Sequence, residues 1–409
     1  MEEWKEYKIG DLGRIVTGKT PKTSIKENYG GDIPFLTPSD DLNNKYAPNT
    51  IKKITNLGLS EVKNCLLPPN SICVSCIGSD LGKVVMLKEY SVTNQQFNSI
   101  IPNEEFCPDF IYYLMTIVGE ELNFIGKTST AVPIVNKSSF SNTEVTIPSL
   151  PTQQKIANIL SSLDEKIEVN RRINDNLEQQ AQALFDEWLS SSKTSKGVFN
   201  DIIQTTLTGD WGKENIEGNY THEVFCIRGA DIPQLCNGDK GKMPTRYILE
   251  KNYKTKQLRA NDLVVEISGG SPTQSTGRIC MITQSLLDRL GKDVVCTNFC
   301  RAITPMEGYA TFIFLYWQLL YHKNIMFSYE NGTTGIKNLN ISDFLSKEVI
   351  DIPTADEVKR LNTILRPIYN QIYANGLQNE MLSTLRDTLL PKLMSGELSV
   401  DDVSTDLVC

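Results

Sequence analysis

A phosphate-binding pattern occurs near the start of the chain, where residues 13–20 read Gly-Arg-Ile-Val-Thr-Gly-Lys-Thr and match Gly-x4-Gly-Lys-Ser/Thr. In such a site a buried strand precedes the loop, and the amides of a helix that begins at the Lys-Thr pair bind the phosphates. Here the residues before Gly13 are not a buried apolar run, Pro21 follows at once, and residues 24–31 have no apolar helical face. We interpret the match as coincidental, and a nucleotide-hydrolysing enzyme, which depends on this segment alone, is the third of three hypotheses.

Other residue types that catalyse reactions or bind metals are not arranged for either. Cys73 and Cys76 have the spacing of a zinc knuckle, but they lie in a predicted strand without a knuckle glycine, and their partners would be distant cysteines, His222 or His322. No Ser-His or Cys-His pairing, dinucleotide glycine pattern or Asn/Asp-Pro-Pro-Tyr/Phe methyltransferase motif occurs. The sequence predicts no active site, no metal and no cofactor in this chain.

Polar, glycine-containing loops recur at matching places in the two halves of the chain, at residues 78–83 and 269–278 and at residues 126–130 and 332–337. Their Gln, Asn, Lys, Arg, Ser and Thr side chains are the types that hydrogen-bond base edges and phosphates. For a single loop, chain reversal is the simpler interpretation; for the set, we predict DNA binding. The candidate contacts are Lys19, Ser79, Lys83, Gln95, Gln96, Lys127, Thr128, Arg228, Ser271, Gln274, Arg278, Thr333, Thr334 and Lys337.

Two long helices are expected to position these loops. Apolar residues recur at alternating spacings of three and four from residue 156 to about residue 188, and the pattern returns 205 residues later, from residue 361. The first helix is predicted to be roughly 37 residues, or about 55 Å, long. The predicted seam comprises Ile156, Leu160, Leu163, Ile167, Asn170, Asn174, Leu177 and Leu184, and Leu361, Leu365, Ile368, Ile372, Asn375, Asn379, Leu382 and Leu389. A buried asparagine in such a seam lowers stability but fixes the register of the helices.

The repeat extends beyond the helices. An apolar segment ending in proline precedes each one, residues 93–100 match residues 297–303, and residues 67–79 resemble residues 258–270. We therefore predict an α+β fold: two similar mixed α/β domains separated by two long antiparallel coiled-coil helices and related by approximate two-fold symmetry. The predicted domains are residues 1–150 and 193–353, the helices are residues 151–192 and 354–396, and the tail is residues 397–409.

Composition limits how such a chain could bind DNA. The 409 residues carry a net charge of −8, so a broad basic face is not expected, and DNA would be bound through local loops or with charge supplied by a partner. No run of about 18 apolar residues predicts a membrane span. Ten cysteines without regular spacing favour reduced thiols in a cytoplasmic protein.

Four segments resemble one known family. They are residues 147–157, Ile-Pro-Ser-Leu-Pro-Thr-Gln-Gln-Lys-Ile-Ala; residues 164–168, Asp-Glu-Lys-Ile-Glu; residues 389–398, Leu-Leu-Pro-Lys-Leu-Met-Ser-Gly-Glu-Leu; and the opening at residues 10–21. Across nearly its whole length the chain resembles the specificity subunit of a type I restriction-modification system. The resemblance implies two target-recognition domains, helices that act as a ruler, no catalysis, and assembly with two modification (methyltransferase) and two restriction (translocase/nuclease) subunits. S-adenosylmethionine, ATP and magnesium would belong to those partners.

Residues 354–359 depart from the family's usual entry to the second helix, and Pro367 and Gly376 lie inside that helix. A proline costs about 3 kcal/mol in a helix interior, so we predict a kink near Pro367. The main hypothesis is a non-enzymatic subunit that reads a bipartite, asymmetric sequence in double-stranded DNA. The alternative is a coiled-coil scaffold or adaptor whose globular domains bind protein.

Overall fold

The structure is a computed structural model that describes residues 4–46, 49–127, 134–271, 274–332 and 337–403. It forms two compact units: unit 1 comprises residues 1–165 and 383–409, and unit 2 comprises residues 166–382. Each of the two long helices contributes residues to both units.

In its described residues, unit 1 has a small mixed fold built on nine strands. The strands are β1 (Lys5–Lys8), β2 (Gly13–Thr17), β3 (Tyr29–Leu36), β4 (Lys52–Ile54), β5 (Ile72–Ser75), β6 (Val84–Met86), β7 (Val92–Thr93), β8 (Phe97–Pro102) and β9 (Glu144–Ile147). The helices are α1 (Asn56–Val62), α2 (Pro108–Lys127), α3 (Lys137–Asn142) and the long α4 (Leu150–Ser191).

The strands of unit 1 form three sheets. One is antiparallel with the order β2-β8-β5-β6, one has the order β4-β3-β7 with β3 and β7 parallel, and β1 pairs with β9 just before α4. The apolar row at residues 110–115 forms the fully or nearly buried face of α2, which packs on β5 and β6. The aromatic side chains of this row therefore belong to the core of unit 1.

Unit 2 repeats this plan with additions. Its strands are β10 (Thr194–Val198), β11 (Ile203–Thr208), β12 (Tyr220–Ile227), β13 (Thr245–Leu249), β14 (Leu263–Glu266), β15 (Ser268–Gly269), β16 (Ile279–Met281), β17 (Val294–Cys296), β18 (Cys300–Pro305), β19 (Glu330–Asn331), β20 (Lys337–Leu339) and β21 (Val349–Pro353). Its helices are α5 (Ile232–Cys236), α6 (Glu250–Lys256), α7 (Gln284–Leu290), α8 (Ala310–His322), α9 (Ile341–Lys347) and the long α10 (Ala355–Met394).

The sheets of unit 2 correspond strand for strand to those of unit 1. The order β11-β18-β14-β16 is antiparallel, the order β13-β12-β17 contains the parallel pair β12 and β17, and β10 pairs with β21 just before α10. A further small sheet, β15-β20-β19, has no counterpart among the described strands of unit 1. The two similar mixed domains and the two long helices that the sequence predicts are confirmed.

The first long helix is slightly longer than the seam pattern suggests, and the second is three residues shorter than the predicted range 354–396. α4 has 42 residues, with Pro151 in its first turn where a missing N–H is harmless, and it continues three residues past Trp188. α10 has 40 residues and is assigned as one helix through Pro367. The kink near Pro367 stays a prediction.

In unit 2 the two helices pair antiparallel through the asparagines of the seam. Asn170 Nδ2 donates to Asn379 Oδ1 at 2.9 Å, and Asn375 Nδ2 donates to Asn174 Oδ1 at 2.8 Å. Asn174 Nδ2 also donates to the carbonyl oxygens of Ile372 and Asn237 at 3.1 and 2.9 Å. All four asparagines are at most 6% exposed, so each pair of amides needs its partner on the facing helix and the register is fixed.

In unit 1 the pairing of the same two helices depends on a charge. Asp164 of α4 accepts a hydrogen bond from Tyr113 of α2 at 2.5 Å and forms an ion pair with Arg386 of α10 at 2.6 Å. Burial lowers the pKa of Arg386, but the charges and hydrogen bonds of Asp164 and Asp387 together outweigh it and raise that pKa above its ordinary value. Arg386 therefore keeps its charge, and Asp164 ties both helices to α2.

The seam prediction is wrong at Leu184. That side chain is 37% exposed, whereas Phe185 is fully buried, 6.0 Å from Phe312 and 6.2 Å from Tyr316 between ring centroids. A straight helix drifts relative to a strict 3.5-residue repeat, so the buried position moves by one residue towards the end of the pattern. The other predicted seam residues are buried or half-buried.

Gly376 in α10 is explained by a close approach. A Cβ at this position would lie 2.0 Å from the carbonyl oxygen of Gly238, in the turn that follows α5. Arg289 reinforces the contact by donating to the same carbonyl at 2.7 Å and pairing with Glu380 at 3.1 Å. The glycine that weakens the helix therefore allows the rest of unit 2 to pack against it.

Replacing Asn174 with Leu should lower the free energy of unfolding by about 2–4 kcal/mol, because Asn375 and two carbonyl oxygens lose their buried partner. The double variant Asn174→Leu/Asn375→Leu should recover part of that loss, giving a coupling energy of about 1 kcal/mol or more. Urea denaturation of the four proteins of the cycle measures both quantities. Asn370→Leu, at an exposed position of α10, is the control and should change stability by less than about 0.5 kcal/mol. Strictly additive losses would contradict the pairing.

Glu178 of α4 gives unit 2 a pH dependence. Burial, with the charge of Asp175, raises the pKa of Glu178 from 4.5 to about 7. The folded state therefore holds this proton more tightly than the unfolded state, so the stability that Glu178 contributes is fully present below pH 4.5 and is lost as the pH rises through about 7. Glu178→Gln should be more stable than wild type by roughly 1–3 kcal/mol at pH 8, with no gain at pH 4.5. Denaturation curves at the two pH values test this, and parallel pH profiles for both proteins would refute it.

Candidate nucleic-acid interface

In unit 1 the four-stranded sheet brings together three segments that carry predicted contacts. β2 and β5 both run antiparallel to β8, with Thr17 opposite Asn98 and Ser75 opposite Phe97. The carboxyl ends of β2 and β5 therefore lie beside the amino end of β8. Residues 18–20, 76–83 and 94–96 meet at this place, which we call the loop edge of unit 1.

Several hydrogen bonds order the loop edge of unit 1. Thr20 Oγ1 donates to Gln95 Oε1 at 2.7 Å, and Asn94 Nδ2 donates to Gln96 Oε1 at 2.9 Å. Within the described ranges, neither glutamine Nε2 has a hydrogen-bond partner, and Lys19 beside them is exposed. The edge therefore presents amide and ammonium donors on a fixed backbone.

The phosphate-binding pattern has a structural explanation. Residues 13–17 form β2, and residues 18–25, all described, contain no helix. A Cβ on Gly18 would lie 2.1 Å from the carbonyl oxygen of Asn94, and one on Gly209 in unit 2 would lie 2.1 Å from that of Cys296. Gly18 and Gly209 therefore allow two chain segments to pack closely in each unit. This packing explains the glycine of the pattern without a bound nucleotide, in agreement with the interpretation of the match as coincidental.

Unit 2 has an equivalent loop edge. β11 and β14 run antiparallel to β18, with Thr208 opposite Arg301 and Glu266 opposite Cys300. The parallel strands β12 and β17 end at the same place, where Thr297 N donates to the Ile227 carbonyl oxygen at 2.9 Å. The loop edge of unit 2 therefore comprises residues 209–210, 228, 267–271, 274–278 and 297–299, with Lys337 beside them on β20, which pairs with β15.

Matching hydrogen bonds define which residues are equivalent. Ser75 N bonds to the Lys83 carbonyl and Glu266 N to that of Arg278, so these two cations occupy equivalent positions, as the sequence repeat suggests. The loop that ends at Arg278 is four residues longer, since 278 − 266 is 12 and 83 − 75 is 8. The frame is constant while the loop it carries differs.

The match of residues 93–94 with residues 297–298, both Thr-Asn, is wrong by one residue. Cys76 N donates to the Gln96 carbonyl at 2.7 Å and Ile267 N donates to that of Phe299 at 2.9 Å, so Phe299 is equivalent to Gln96. Asn298 is then equivalent to Gln95. Both unit 2 residues are exposed, and neither was among the candidate contacts. Further along the strands, the sequence match of Ile100 with Ile303 agrees with the structural equivalence of Gln96 and Phe299.

Three predicted cations of unit 2 are bound by carboxylates. Arg228 contacts Asp231 through Nε and Nη2 at 3.0 Å each, and Arg278 contacts Glu266 at 2.8 and 2.6 Å. These hydrogen bonds raise the pKa of both guanidinium groups. Lys337 pairs with Glu330 at 2.9 Å and lies 4.6 Å from the centroid of the Phe327 ring. The carboxylates largely neutralise the charges of these three cations. The role of the ion pairs is therefore to order the loops.

Some of the remaining predicted contact residues have described side chains, and others do not. Lys83 donates to Asn43 Oδ1 at 2.7 Å, Ser79 is exposed, and Gln274 N donates to Ser271 Oγ at 3.0 Å in an exposed turn. Lys127 is the last residue of α2, but its side chain lies outside the described part of the structure. Thr128, Thr333 and Thr334 lie outside the described residues. A role in DNA contact stays a prediction for the whole set.

The described residues contain no group of three or more His, Cys, Asp or Glu side chains placed to hold a metal. Burial raises the pKa of the Cys73 thiol to about 12, so this cysteine of the knuckle-like pair behaves as an apolar core residue. Of the helices in the described ranges, none has the length and apolar character needed to cross a membrane.

Replacing Arg278 with Met should lower the free energy of unfolding by about 3–5 kcal/mol, because Glu266, whose side chain is 5% exposed, keeps a buried charge without its partner. Lys83→Met at the equivalent position should cost less than about 0.5 kcal/mol, since the partner of Lys83 among the described residues is the exposed amide of Asn43. The double variant Glu266→Gln/Arg278→Met should regain part of the loss. Chemical denaturation compares them, and equal losses for Arg278→Met and Lys83→Met would show that the ion pair is not structural.

Comparisons with known proteins agree with the resemblance noted in the sequence. The family described as type I restriction modification DNA specificity domain matches residues 1–179. The type I restriction enzyme MjaIX specificity subunit of Methanocaldococcus jannaschii is 29% identical over 424 residues, which cover 98% of this chain and 95% of that protein. The HindI specificity subunit of Haemophilus influenzae is 35% identical over 179 residues, which cover 42% of this chain and 39% of that protein.

Among solved structures, the S subunit of a type I restriction-modification system from M. genitalium overlaps with a TM-score of 0.49 at 18% identity, and the overlap covers 96% of each chain. The sequence relationship spans both repeats of this chain. The resemblance to the specificity subunits of type I restriction-modification systems is confirmed, by the family match over residues 1–179 and by the relative that aligns over 98% of this chain.

Proposed function

We propose that this specificity subunit reads a bipartite, asymmetric DNA sequence, with one half-site bound at the loop edge of each unit. The observation that carries the proposal is the repeated frame with different loops. Equivalent backbone hydrogen bonds hold Gln95 and Gln96 in unit 1 and Asn298 and Phe299 in unit 2. Side chains of different chemistry on one frame are suited to two different half-sites.

The charges at the loop edges indicate base contact more than phosphate contact. The chain carries a net charge of −8, and Arg228, Arg278 and Lys337 are paired with carboxylates. Phosphate contacts supply most of the sequence-independent affinity for DNA. We therefore infer that partner subunits supply much of the phosphate-binding charge, and that the chain alone binds DNA weakly.

Methyl transfer and DNA cleavage are assigned in this proposal to partner subunits, because the chain is a non-catalytic subunit. The partners would be two modification subunits and the restriction subunits, which would hold S-adenosylmethionine, ATP and magnesium. The long helices α4 and α10 are the proposed ruler that sets the number of base pairs between the half-sites. The buried asparagine pairs support this role, since a spacer needs helices that cannot slide past one another.

Exchanging residues 199–348 for those of another specificity subunit should change only one half of the recognised sequence. These bounds keep the pairing of β10 with β21 and leave α4 and α10 intact. The measurement is a map of methylated adenines in cells that express the exchanged or the original chain with the same modification subunits. An exchange of residues 199–348 with the same residues recoded at the DNA level is the control. An unchanged target, or changes in both halves, would contradict the proposal.

A second measurement separates DNA reading from a scaffold role. Short duplexes carrying the mapped sequence, or a scrambled version of it, are incubated with the chain alone and with its modification subunits. We expect selective retention of the mapped sequence in the complex. Equal retention of both duplexes would favour the coiled-coil scaffold.

A further inference from the structure

Phe299 holds an unusual position at the loop edge of unit 2. Its side chain is 60% exposed, although the residues on either side of the dipeptide, Thr297 and Cys300, are 2% and 0% exposed. Cys300 N donates to the Thr297 carbonyl oxygen at 2.9 Å, and Ile267 N donates to that of Phe299 at 2.9 Å. The turn is therefore held on both sides, and it directs an apolar ring and the amide of Asn298 into solvent.

The surroundings of this ring limit what it can contact. Two guanidinium groups of this loop edge, Arg228 and Arg278, are bound by Asp231 and Glu266. Arginine is the side chain that most often reads guanine O6 and N7, so the engagement of these two removes them as readers of a G·C pair. An amide and an aromatic ring remain as the outward groups of residues 298 and 299.

These two groups fit the major-groove edge of one base pair. An A·T pair presents adenine N6 and N7, which a carboxamide reads, beside the C5-methyl group of thymine, which apolar side chains contact. Resting on the proposed DNA-reading function, we propose that Phe299 is a specificity-determining residue that contacts a thymine methyl group in the unit 2 half-site, with Asn298 bonding to the adenine of that pair. Unit 1 has Gln96 at the equivalent position, so its half-site has no such methyl contact there.

The test removes the methyl group from the DNA. Once the target is mapped, each thymine of the unit 2 half-site is replaced in turn by deoxyuridine, which lacks only the C5-methyl group, and binding by the full chain with its modification subunits is measured. At one position wild-type affinity should fall about fourfold, the factor for one buried methyl group. Phe299→Ala should bind the thymine duplex several-fold more weakly and be insensitive to deoxyuridine at that position. Phe299→Leu should keep part of the sensitivity.

Tyr90→Ala is the matched control. Tyr90 is also 60% exposed, but it precedes β7, whereas the loop edge of unit 1 follows that strand. This variant should bind both duplexes as wild type does, and thermal melting should show that every variant is folded.

Two results would overturn the assignment of Phe299: a wild-type complex that binds selectively but is insensitive to every replacement, or a Phe299→Ala complex that keeps the wild-type sensitivity. In the second case, loss of modification subunits from purified Phe299→Ala would identify the ring as a protein contact. Failure of the proposed function itself looks different, since the wild-type complex would then prefer no duplex.

Discussion

Two pairs of buried asparagines fix the register of α4 and α10 in unit 2. Asn170 bonds to Asn379 and Asn174 to Asn375, and each amide is nearly inaccessible to water. A slip of one seven-residue repeat would place Asn170 opposite Ile372 and leave its amide among apolar side chains. In unit 1 the Asp164–Arg386 ion pair has the same effect with a charge. Polar groups thus set the alignment of a helix pair whose stability comes from its apolar residues.

The second constraint is the backbone of each loop edge. Gly18 and Gly209 pack against carbonyl oxygens of equivalent segments, and equivalent amides hold the dipeptides at residues 95–96 and 298–299. These bonds involve only main-chain atoms, so they place no demand on the side chains between them. The exposed side chains on such a backbone can be substituted without a change of fold, which is the property that a sequence-reading domain needs.

Periodicity was enough to predict the long helices, their asparagine interruptions and the repeated domains, because burial on one face leaves a regular pattern. It failed at Leu184, where the packing of Phe185 against α8 decides which side chain is buried. The pairing of Arg278 with Glu266 and of Arg228 with Asp231 depends on how the loops fold, which residue type does not reveal. The Thr-Asn dipeptide shared by the two halves led to an alignment that did not match Phe299 with Gln96. Strand pairing, and not local sequence identity, determines which residues of the two units are equivalent.

The contact between Gly376 and Gly238 limits how unit 2 can be exchanged between relatives. A Cβ on Gly376 would lie 2.0 Å from the Gly238 carbonyl oxygen, and one on Gly238 would lie 2.5 Å from the Ile372 carbonyl oxygen of the helix, so neither position has room for a larger residue. A recognition domain from a relative must therefore have an equally small residue in the turn after α5. A larger residue there would displace α10. Compatibility between domain and helix, as much as the chemistry of the exposed loops, restricts which combinations can give a working protein.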